Sequence, residues 1–157
     1  MLLRIWPALA SWGAGLILFA VAAGSSPWTA AALCVWAAAR FGWGLMALRA
    51  RRAPGPRATL ACALGAVFLG LLLVLAGVLG AVPFAALTVL DLLVAGCAAV
   101  ALRRESTEAT PLRPARAAGA LVAGALVVAS LTTPALAFTD AGSSAVPHGE
   151  APGDHQH

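Results

Sequence analysis

From residue 60 to residue 82 no charged residue interrupts the chain, and this run constrains the fold more than any other feature. About 20 apolar residues in a helix cover the roughly 30 Å of a bilayer's hydrocarbon. A helix buried in a soluble bundle keeps a polar face at helical spacing, and this run has none. Four further stretches approach or meet the same length. The expected spans are about 3–23, 28–48, 59–80, 83–102 and 117–138. Gly24-Ser25-Ser26-Pro27 marks the first turn, and Pro83 is expected to open the fourth span, making the third and fourth a tight hairpin. The fold class expected is therefore all-α, a polytopic transmembrane helical bundle of five spans. It divides into a four-helix core (1–102), a basic loop (103–116), a fifth, signal-like helix (117–138) and a disordered tail (139–157).

Composition narrows the function classes. The chain of 157 residues is 61% hydrophobic, has a mean hydropathy of +0.91 and is only 10% charged, against about 25% in an ordinary soluble domain. That deficit excludes a soluble enzyme, an acidic disordered protein and a nucleic-acid binder that depends on a basic face. The 40 alanines and the absence of Lys, Asn and Tyr indicate GC-rich coding, so alanine abundance alone says little about structure.

The placement of charge sets an expected threading. Nine of the ten Arg lie outside the hydrocarbon: Arg4 before the first span, Arg49, Arg51, Arg52 and Arg57 between the second and third, and Arg103, Arg104, Arg113 and Arg116 between the fourth and fifth. The turns at 24–27 and 80–83 carry no charge. Short cationic loops stay cytoplasmic, which implies a bacterial inner-membrane protein with its N-terminus inside and its C-terminus outside. The basic loops also suit anionic headgroups, but setting topology is the simpler reading of them, and nothing about them calls for nucleic acid.

Apart from cysteine thiols, Arg40 and Asp91 are the ionisable residues well inside spans. Each costs about 2.5–3.5 kcal/mol at a helix centre on insertion scales, so each needs a partner. Arg40 lies eight residues before Leu48 and Asp91 eleven before Leu102, depths of about 12 and 16 Å at 1.5 Å per residue. An Arg side chain covers the difference, and an Arg40–Asp91 ion pair between the second and fourth spans is expected. Trp36, Arg40 and Trp43 share one helical face, so a cation–π contact is expected as well. The pair has two readings: a lock on the helix arrangement, or a gate in a solute or ion path.

The fifth span has the organisation of a secretory signal. Arg113 and Arg116 precede an uncharged apolar core, and Ala135-Leu136-Ala137 is a small-x-small cleavage pattern with Pro134 placed to stop the helix just before it. A cut after Ala137 would release residues 138–157. The plainer alternative is an ordinary span ending in small residues, common in an alanine-rich chain.

Cys34, Cys62 and Cys97 all fall within spans without a CxxC spacing, and read as small hydrophobes. His148, His155 and His157 all lie in the tail beside Glu150 and Asp154. Imidazole and carboxylate suit Cu(II) or Zn, so the tail is a weak candidate for Cu or Zn at the outer surface. No other cofactor is indicated. No span holds a His for axial haem ligation. Small residues four apart (Ala61/Gly65, Ala66/Gly70, Ala76/Gly80, Ala95/Ala99, Ala120/Gly124) allow close helix approach in lipid, within the bundle or with other membrane proteins. No nucleophile–base set or phosphate loop occurs, so an enzyme is not expected. The leading expectation is a non-catalytic accessory or interaction protein of the membrane. The alternatives are a small solute or ion transporter using Arg40 and Asp91, and metal binding through the tail.

Overall fold

Each apolar stretch forms one long helix. The computed structural model describes residues 2–49, 55–104 and 114–143. Over these the chain forms α1 (Leu2–Ala23), α2 (Pro27–Arg49), α3 (Pro56–Leu75), α4 (Ala81–Arg104), α5 (Pro114–Ala137) and a short α6 (Asp140–Ser143). No strand occurs among the described residues, and α1 to α5 are long and apolar enough to cross a membrane. Large apolar side chains face outward, including Leu75, Val35, Leu126 and Phe68, the arrangement that suits a hydrocarbon solvent rather than water.

Helix ends depart from the expected ones for local reasons. α3 stops at Leu75 rather than near 80, because Gly77 adopts φ 71°. Its N–H donates to the Val74 carbonyl, and the Val78 N–H donates to that of Leu73. This pair of bonds is the Schellman motif, which needs a residue at ease with positive φ. α4 begins at Ala81, and Pro83 sits in its first turn rather than opening it. A first-turn N–H has no helical acceptor, so proline costs nothing there. Pro134 does not stop α5, which runs through it to Ala137. The expected disordered tail is also corrected at its start: residues 140–143 are helical, and Thr139 Oγ1 caps them by accepting from the Gly142 N–H.

The order in space differs from the order in sequence. α1 is the central helix, with 67% of its apolar window buried, and it packs against α2, α4 and α5. Among the described helices α3 packs against α4 alone. α5 is no appendage to a four-helix core, since Ala135 is fully buried in the same cluster as Ile17, Leu18 and Leu90. Three neighbours fit around α1 because Ala8, Ala10, Ser11, Gly13, Ala14 and Gly15 give it little girth. α1 and α2 approach closely at Gly44, where a Cβ would stand 2.5 Å from Trp12 Nε1 and 3.2 Å from the Ala8 carbonyl oxygen. Two side-chain bonds fix this contact: Ser11 Oγ donates to the Arg40 carbonyl at 2.9 Å, and Trp12 Nε1 to that of Phe41 at 3.2 Å.

Of the small-residue pairs read from the sequence, Gly70 packs against Phe84, and Gly124 against Leu9 and Trp6. Ala61 and Gly65 face outward with open space beyond Gly65. Ala76 and Gly80 belong to the α3–α4 turn.

Candidate functional site

Mid-bundle, Arg40 of α2 reaches across to Asp91 of α4. Nη1 lies 2.5 Å from Oδ1, and Nη2 donates to Oδ2 at 2.9 Å. The first contact lacks hydrogen-bond alignment, so the pair is in double charge contact but singly hydrogen-bonded. Both side chains are withdrawn from the surface, at 12% and 3% exposure. The Arg40 guanidinium carbon stands 5.7 Å from the centre of the Trp36 ring, within cation–π range. Trp43, on the same face, lines a cleft beside the arginine. α2 and α4 do not pack directly on each other; α1 lies between and against both. The ion pair thus ties together the two flanks of the central helix, and Ser11 of α1 holds the Arg40 backbone on one side of it.

One helical turn before Asp91, Thr88 buries its Oγ1 without a hydrogen-bond partner. A buried hydroxyl left unpaired costs about 1–3 kcal/mol. Thr88→Val keeps the shape and removes the orphan, so it is expected to raise the thermal midpoint of the detergent-purified bundle. A lowered midpoint would mean that the hydroxyl has a partner, such as a bound water.

Two cavities went unforeseen. One, of about 240 Å³, lies between α2 and α3 beside Ser11 and reaches Arg40 but not Asp91. The other, of about 460 Å³, lies at the end of the bundle away from the Arg-bearing loops, among Ser25, Ser26, Thr29, Gly77 and Asp140. Each depends on which helices become neighbours, and no local pattern encodes that.

The cleavage motif is split by the helix. Ala135 is fully buried, whereas Ala137 is exposed. Residues two apart share a side only in an extended chain; in a helix they diverge. The Phe138 N–H donates to the Pro134 carbonyl, and Thr139 Oγ1 donates to that of Leu136 at 2.7 Å, so the last turn is tied down past the motif. Cys34, Cys62 and Cys97 are free thiols. Among the described residues no three His, Cys, Asp or Glu side chains gather as a metal site. His148, His155 and His157 lie outside the described residues.

Comparison with family models, with curated proteins and with solved structures finds no match. The functional reading therefore rests on the geometry alone.

Proposed function

We propose that the protein is a multi-pass protein of the bacterial cytoplasmic membrane, N-terminus inside and C-terminus outside, acting without catalysis as an accessory or interaction subunit. The observation that carries this reading is the closed state of the Arg40–Asp91 pair. A transport path needs a charge that water or solute can reach. Asp91 is 2% exposed and spends its carboxylate on Arg40, and the neighbouring cleft ends at the arginine. Buried ion pairs are best supported as devices that fix one arrangement of helices. The outward faces of α2, α3 and α5 are apolar and offer surface for contact with other membrane proteins.

Photo-reactive residues placed singly at Val35, Phe68 and Leu126, with buried Ile17 as control, test this in the native membrane. The reading predicts a discrete protein adduct from at least one of the three outward positions and none from Ile17. Lipid adducts alone at all three would contradict it.

A further inference from the structure

Consecutive membrane helices joined by a short loop usually pack together. α2 and α3 do not, and the space between them is the 240 Å³ cleft. Its walls are Trp36, Arg40 and Trp43 on one side and Cys62, Ala63 and Ala66 on the other. An apolar cavity of about 150 Å³ already takes up a benzene. A helix 10–12 Å across cannot enter a space of this size. A single hydrocarbon chain can.

Toward the connecting loop the lining of the cleft ends at Trp43 and Thr59, and the charges beyond that end supply the second observation. α2 ends at Arg49, and α3 carries Arg57 in its first turn. Arg57 and Arg49 are both exposed, and among the described residues neither pairs with an acid. Nine residues separate Arg40 from Arg49, about 14 Å along the helix, close to half the hydrocarbon thickness of a bilayer. A phosphate held at Arg49 and Arg57 therefore extends its acyl chain down the cleft as far as Trp36 and Arg40. Basic pockets between helices at a membrane face are established sites for anionic lipid headgroups.

We infer that the α2–α3 cleft is a binding site for one anionic phospholipid, its phosphate between Arg49 and Arg57 and one acyl chain along Trp43 and Ala66. The lipid completes the contact that the two helices do not make with each other. The inner end of the site is Arg40, whose charge is already matched by Asp91.

The test is native mass spectrometry of the full chain, released from micelles holding equimolar phosphatidylglycerol and phosphatidylcholine with identical acyl chains. The expected spectrum shows one retained phosphatidylglycerol per protein, preferred by about 30-fold if each arginine contributes its usual share. Arg49→Gln with Arg57→Gln brings the two lipids to parity. Ala66→Leu, which narrows the cleft and leaves the charges alone, lowers retention of both. The wild-type comparison stands even if a variant fails to fold. Several adducts per protein with no headgroup preference would mean bulk lipid contact only and would overturn the site. So would a lipid-free dimer, which would mean that a second copy covers the cleft.

Discussion

Arg40→Ala is expected to cost the bundle about 3–5 kcal/mol, the usual loss when one partner of a buried pair is removed. It strands Asp91, at 2% exposure, among apolar neighbours such as Leu87, Leu90 and Val94. Asp91→Ala should cost less. The freed Arg40 has a long apolar stem and can turn its head toward the Arg-bearing end, past Trp43 on the same face of the helix. The double change removes both charges and should leave a bundle more stable than the Arg40→Ala protein. Chemical denaturation of the four proteins in one detergent gives the coupling directly. Losses that simply add would show that the two residues do not depend on each other.

The second large effect is all or none: the bond after Ala137 stays intact. A small-x-small site is read in an extended chain, where Ala135 and Ala137 would point the same way. Presenting it requires unwinding the last turn of α5, drawing Ala135 from full burial and breaking the Thr139–Leu136 hydrogen bond. The segment beyond is held as well. A Cβ on Gly24 would stand 2.6 Å from Asp140 Oδ2, so the start of α6 sits tightly against the α1–α2 turn. The intact mass of protein purified from native membranes should therefore include the residues after 137. A product ending at Ala137 would show that the motif is read before the helix closes over it.

The features legible in the sequence were those set by local chemistry or by depth. Long apolar runs mark the five helices, and two charges at matched depth meet as an ion pair. The end of α3 was misplaced because the apolar pattern continues past Leu75; the sign to heed was Gly77, whose positive φ closes the helix. Pro134 misled because membrane helices tolerate an internal proline, and α5 runs through it to Ala137. The central place of α1 was missed although its signal is present: from Ala8 to Gly15 small residues occur on every side, and only such a helix admits three close neighbours. The α2–α3 cleft had no sequence signal at all. It exists because, among the described helices, α3 packs on α4 and not on α2, an outcome of the whole packing arrangement.

On the proposed reading, Arg40 and Asp91 hold helices together and carry nothing across. The most direct test is proton flux into vesicles containing the purified protein and an internal pH dye, driven by a pH gradient and a potassium diffusion potential. Wild-type vesicles should acidify no faster than protein-free vesicles, and Asp91→Asn should change nothing. Rapid acidification by the wild type that Asp91→Asn abolishes would contradict the claim and place the pair in a conducting path.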